Sequence, residues 1–362
     1  MLSIIDRYII KKYFVTLLFI VLIFTIIAVV IDFSDKVEKF IEKDCTKHEI
    51  FFDYYLNFVP YINSLLIPLY ALIAVIFFTS RMAANSEFIA ILNAGVPYRR
   101  ITRPFLIAAL TVTGIQLIGN HYLIPSANKT RLDFEHAYIW TTTDKMKKRN
   151  IHMFISPDTK IFIRLYKKDE QYATDFRMET FEEGKLVKYL KASKLKWIGP
   201  PNNWQLDNYE IREFDGTKES FVIGKGEKID TSLAIAPKDF VRYKRQMEMM
   251  STPELKEYID QQKSRGLGTS QGYEVEVHQR TSEPVTTIIL TLIGLTLASR
   301  KIRGGLGLNL ALGLAIGATF FFLSKFSETF ATNLDVHPAI SVWLPNIAFG
   351  IIAVYLYLNA QK

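Results

Sequence analysis

The sequence predicts an α-helical membrane protein with six transmembrane helices and an extracytoplasmic all-β, jellyroll-like domain inserted between helices 3 and 4. Three observations predict it. Hydrophobic residues make up 49% of the 362 residues, and they fall into long uncharged runs separated by polar blocks. About 20 apolar residues in a helix, each rising about 1.5 Å, cross a hydrocarbon core of about 30 Å. From about residue 125 to 250 the long runs give way to alternating apolar and polar residues, the period of strands. Arginines cluster in short loops beside the apolar runs, as in Arg81–Arg103 and Arg300–Arg303, which the positive-inside rule expects of cytoplasmic loops.

Taken in order, residues 1–12 form an amphipathic lead-in helix with Arg7, Lys11 and Lys12 toward headgroups, so the chain starts in the cytoplasm. Tyr13–Ile31 is the first span, and acids outnumber lysines in the stretch that follows it outside. Tyr54–Ser80 is the second span, bent by Pro60 and Pro68. Phe105–Ile124 is the third, carrying polar Gln116, Asn120 and His121; a histidine within a span is either a proton relay or an ordinary partner near the membrane boundary. The β domain begins at 125, with segments such as IHMFI, KIFIRLY and NWQLDNYEIREF punctuated by SPDT, EEGK and GPPNN. Thr252, Pro253 and Glu254 then open a helix that Gly266 is placed to end. Val285–Ser299 is the core of the fourth span, extended upstream through Pro284 and closed by Arg300, Lys301 and Arg303. Gly304–Ser324 is the fifth, where Gly305, Gly307, Gly313 and Gly317 allow close helix approach, and Pro338–Leu358 is the sixth, anchored by Trp343. The divisions are 1–124 for spans 1–3, 125–265 for the β domain and its connecting helix, and 266–362 for spans 4–6, with both termini inside.

The stretch RMAANSEFIAILNAGVPYRRITR, Arg81–Arg103, joins the second and third spans and carries four arginines against one acid, Glu87. Ser86 is a plausible N-cap, Phe88, Ile89, Ile91 and Leu92 are apolar at helical spacing, and Gly95 with Pro97 stops the turn. A short helix over 86–95 in a cytoplasmic loop is either a membrane-surface element or a docking knob for a cytoplasmic partner.

Several classes of chemistry are excluded. No GxxxxGK[ST] phosphate loop, HExxH metal pair or GxSxG elbow occurs, and the arginines sit beside membrane spans with no nucleic-acid motif interleaving them with aromatics. The single cysteine, Cys45, rules out an intramolecular disulfide framework and a cysteine-rich metal site. A membrane protein with a structured cytoplasmic loop helix and no energy-coupling motif of its own is most simply a transporter subunit driven by a separate ATPase.

DRYIIKKYF near the start, SEFIAILNAGVPYRRI in the loop, ELKEYI, PVTTIILTLIGLTLASRKIRGG and HPAISVWLPN occur in an order that resembles the LptF/LptG permeases of lipopolysaccharide export. The resemblance covers essentially the whole chain. It implies pairing with a paralogous LptF/LptG permease, an LptB-like cytoplasmic ATPase dimer that binds ATP and Mg, LptC/LptA-like periplasmic bridge proteins, and lipopolysaccharide as cargo, with no cofactor in this chain and no nucleic acid. The 86–95 helix would be the coupling helix, with Ser86, Glu87, Phe88, Ile91, Leu92 and Gly95 at the ATPase. The β domain would be a jellyroll whose inward Ile161, Ile163, Phe176 and Leu195 line an acyl-chain slot, although the same alternation fits a closed core. The family places lipid uptake between the first and fifth spans, where Lys36, Lys39 and Lys325 are the cations for an anionic head group. Lys325 is equally suited to pairing with Glu328, and the chain departs from the family by placing Asp32 where a basic residue is common.

Competing readings differ in what they require. A membrane-anchored β-domain scaffold needs one or two spans, not six. An intramembrane enzyme needs carboxylates, histidines or a nucleophile within the spans. An ABC permease for another lipid fits the same pattern and is distinguished by the lipid that copurifies.

Overall fold

The computed structural model describes residues 3–140, 149–167, 170–200, 202–216, 218–233, 235–237, 245–264, 270–299, 305–333 and 336–360. Gly266, Arg300, Lys301, Arg303 and Gly304 lie outside the described residues. The chain divides into a unit of Met1–Ile139, Met247–Leu255 and Gln271–Lys362, and a second of Trp140–Gln246 and Lys256–Ser270.

The first unit is helical, and among the described residues six helices are long and apolar enough to cross a membrane. Helix α1 runs Ile4–Glu42. A capping box opens it: the Ser3 hydroxyl accepts from the Asp6 N–H at 3.3 Å and the Asp6 carboxylate accepts from the Ser3 N–H at 2.8 Å. Lead-in and first span are thus one rod, which continues past the expected end at Ile31 because no glycine or proline interrupts the polar turns that follow. A π-helical turn, Glu49–Tyr55, precedes α2, Leu56–Ala84, which holds both Pro60 and Pro68 inside it. Helix α3 is Glu87–Asn93 and α4 is Tyr98–Ile118. After a π-helical turn, Gly119–Leu123, comes α5, Ile124–Phe134, and another π-helical turn, Glu135–Ile139. Residues 125–139 are therefore helical, not the start of the β domain. They bury Leu132, Phe134 and Ile139 together with an Arg131–Glu135 pair one turn apart, a helical pattern outvoted in the sequence by its polar neighbours.

Helix α6, Thr252–Ser264, starts one residue earlier than expected in its capping, since the Ser251 N–H donates to Glu254 Oε2 at 2.8 Å. Helices α7, Gln271–Ala298, α8, Gly305–Asn333, and α9, Pro338–Leu358, complete the unit. Helix α2 packs against α1, α5, α7 and α8. A side chain at Gly313 would collide with Ile76, and one at Gly317 would meet Leu69 Cδ1 at 2.6 Å, so these two glycines let α8 lie close on α2. Gly305 and Gly307 have open space instead and serve no such contact. Polar side chains tie the helices internally. Gln116 donates to the Ser64 carbonyl at 2.8 Å and accepts from Thr287 at 3.1 Å, while Asn346 donates to the Ser282 carbonyl at 2.8 Å and accepts from Thr286 at 2.8 Å.

The second unit holds a six-stranded antiparallel sheet with strands adjacent in chain order: β1 Arg149–Ser156, β2 Thr159–Lys167, β3 Tyr172–Glu182, β4 Lys185–Gly199, β5 Asn203–Asp215 and β6 Lys218–Ser232. Its register places Ile163 opposite Phe176, Phe176 opposite Ala192 and Leu195 opposite Leu206, which puts the apolar residues on one face. Trp204, fully buried, donates its indole N–H to the Ile235 carbonyl at 2.9 Å, fastening the segment after β6 onto that face.

Candidate functional site

Two residues separate α2 from α3, and Ser86 makes the turn in the left-handed region at φ 60° with no hydrogen bond from its side chain to the helix. It is a bend residue, not the side-chain cap expected. Gly95, at φ 81°, ends the segment where only glycine is unstrained. Phe88 is 1% exposed, its ring 6.2 Å from that of Tyr98, and Ile91 and Leu92 pack against the same core. The apolar stripe thus anchors α3 to its own unit, because a helix of seven residues has no stability without such an anchor. Ile89, 40% exposed, Ala90 and Asn93 face outward in place of Phe88, Ile91 and Leu92. Glu87 accepts from the Tyr8 hydroxyl at 2.9 Å and from Asn85 at 3.3 Å. Partial burial works against its charge, but these hydrogen bonds with Lys12 and Arg81 nearby hold its carboxyl below the usual carboxylate range. Beside it, Arg100 grips Asp6 with two parallel bonds of 2.6 and 2.7 Å.

At the other end of α1 the expected head-group cations separate. Lys36 turns into the unit, 2.6 Å from Asp32 and 3.5 Å from Glu135, over the ring of Tyr54. Asp32, one turn earlier, is the partner that holds it. Glu135 is shared with Arg131, 2% exposed, at 2.9 Å, and Arg131 also lies 4.1 Å over the ring of Tyr61. Lys39, three residues on, is exposed. Lys325 is paired with Glu328 at 2.7 Å and its side chain is 67% exposed. No hydrogen bond or ion pair among the described residues joins Lys36 or Lys39 to Lys325. His121 bonds Thr252 at 2.9 Å through Nδ1 and Thr281 at 3.4 Å through Nε2, a tie between neighbouring segments.

In the β unit Ile161, Ile163, Phe176 and Leu195 are fully buried in one core with Trp204, Leu206, Leu233 and Ile235. All four are closed off from solvent, in a cluster to which Leu233 and Ile235 also belong. The same face opens elsewhere into a groove of about 320 Å³ whose apolar lining includes Ile155, Met178, Leu190, Ile211 and Ile229.

The family model described as lipopolysaccharide export system permease LptF/LptG matches residues 7–359. The chain belongs to the LptF/LptG family. No curated protein matches it. As an LptF/LptG permease it is a multi-pass inner-membrane transport subunit of lipopolysaccharide export and a member of the Lpt transporter complex. Sequence reasoning missed Asp6, Tyr8, Arg100, Arg131 and Glu135, which hold the surroundings of Glu87 and Lys36 in place. Asp6 and Arg100 are 94 residues apart, and no local spacing links them.

Proposed function

We propose that this permease is one half of a two-permease assembly that lifts lipopolysaccharide from the outer leaflet of the inner membrane, driven by a cytoplasmic ATPase dimer docked at α3. ATP and its Mg are bound by that ATPase, not by this chain. Both termini and α3 face the cytoplasm, and the β domain is periplasmic, where it hands lipid to LptC/LptA-like bridge proteins. Basic Arg81, Arg99 and Arg103, all exposed around α3, support this orientation.

The observation that carries the reading is α3 itself. Its apolar face is spent on anchoring, so the outward Ile89, Ala90 and Asn93 form a small rigid projection, with Glu87 charged at its base to meet an arginine or lysine of the ATPase. Ile89→Asp, or Glu87→Lys, should reduce copurification of a tagged ATPase at least about tenfold, as expected for a charge mismatched in an interface. Intact copurification of both variants would remove α3 from the docking surface.

Lipid contacts follow the same geometry. Lys39 and Lys325 are the exposed cations for the phosphorylated head group, and Lys36 joins them only when its bond to Glu135 opens. The acyl chains take the open groove at Ile155, Met178, Leu190, Ile211 and Ile229, while Ile161, Ile163, Phe176 and Leu195 stay in the buried core beside it. Photo-crosslinkers at Met178 and Ile211 should reach lipid in the presence of ATP, and at Ile163 should not.

A further inference from the structure

Helix α1 differs from the other five spanning helices. It is the one without a proline or glycine, and its 39 residues make a rod of about 58 Å. Along its span only a narrow stripe of Tyr13, Leu17 and Ile20 is buried, while Leu18, Phe19, Leu22, Ile26, Ile27, Val30 and Ile31 are exposed. In mid-span its polar ties are single neutral hydrogen bonds, Tyr13 with Thr291 at 3.2 Å and Thr25 to Asn63 at 2.9 Å, while its charged attachments lie toward its two ends. At the start, the buried Asp6 uses both oxygens on Arg100 of the first turn of α4, and one of them also on the Ser3 N–H. Two residues on, Tyr8 donates to Glu87 of the first turn of α3. The Phe88–Tyr98 ring contact closes the circuit between α3 and α4. The first turns of three helices are therefore one block.

We propose that the first two turns of α1 are a positioning strut for α3, through Tyr8–Glu87 and Asp6–Arg100, so that a displacement of α3 moves α1 as a rigid lever instead of being absorbed in the loop. The proposal rests on the reading of α3 as the ATPase-docking helix. A helix without a hinge transmits displacement along its length, and α1 delivers it to the Lys36–Glu135 contact at its far end. Asp6 and Arg100 touch neither lipid nor ATPase in this scheme; they act by holding α1 to the block.

The test uses the whole complex in proteoliposomes and measures three quantities: ATPase copurified, ATP hydrolysed and lipopolysaccharide released per ATP. Arg100→Gln, which leaves the Ser3–Asp6 cap in place, should lower release per ATP at least fivefold with copurification and hydrolysis within twofold of wild type. Arg100→Lys, which keeps the charge at one contact, should restore release per ATP to within twofold. Tyr8→Phe added to Arg100→Gln should lower it further. Release per ATP unchanged in Arg100→Gln, or a loss of release that only parallels lost hydrolysis or assembly, would overturn the strut, as would a lysine no better than glutamine. Failure of the docking reading shows separately, as Ile89→Asp complexes that retain the ATPase.

Discussion

The helical unit and the β unit are built inside out relative to one another. In the helical unit the large apolar side chains of α1 and α9, such as Phe19, Ile26, Ile340 and Ile351, stand exposed, while Gln116, Thr287, Asn346 and Asn309 lie buried and bonded. In the β unit the interior is Ile161, Phe176, Leu195 and Trp204, and the exterior carries charged pairs such as Lys188–Glu213. The difference reports the solvent each unit is made for. In lipid no hydrophobic force drives helices together, so close packing at Gly313 and Gly317 and interhelical hydrogen bonds hold them. In water, apolar burial does that work.

That contrast can be broken at chosen points. The largest expected effect is Trp204→Ala in the β unit, about 4 kcal/mol, because it removes a fully buried ring and leaves the Ile235 carbonyl without its donor. Chemical unfolding in detergent, followed by fluorescence of the other tryptophans, measures it; a loss below about 1 kcal/mol would deny that this core holds the sheet. Next is Arg131→Met in the helical unit, about 3 kcal/mol, since Glu135 is left buried without its guanidinium. The paired Arg131→Met/Glu135→Met variant should recover most of that loss, and failure to recover it would show that Arg131 matters through Tyr61 instead. Gln116→Leu sharpens the comparison further, because it should cost only about 1 kcal/mol for two interhelical bonds, less than the loss of one large side chain from the β core. Lys188→Ala, at an exposed pair on the sheet exterior, should leave the unfolding midpoint unchanged.

Legibility followed the same division. The six spans and the alternating strands were readable because period and length are local properties, and Ile163, Phe176 and Leu195 sit on the face that alternation assigns them. The segment 125–139 was misread because its helical signal is an Arg131–Glu135 spacing whose value depends on Lys36 and Tyr54 arriving from elsewhere. In α3 the sequence showed an amphipathic turn but not which side was spoken for. Phe88 looks equally suited to a partner or to its own core until Tyr98 is placed beside it.

By itself the sequence determined how many helices cross the membrane, which of them could approach closely, and that a sheet interrupts them, because hydrophobic run length and side-chain period are written into neighbouring residues. Only the tertiary structure decided that Lys36 is committed to Asp32 and Glu135 while Lys39 is left exposed, that Ile89 and not Phe88 faces outward, and that Asp6 holds Arg100. Each of these is a pairing or an exposure between residues distant in the chain, and a charge or an apolar ring carries no mark of which distant neighbour will bury or pair it.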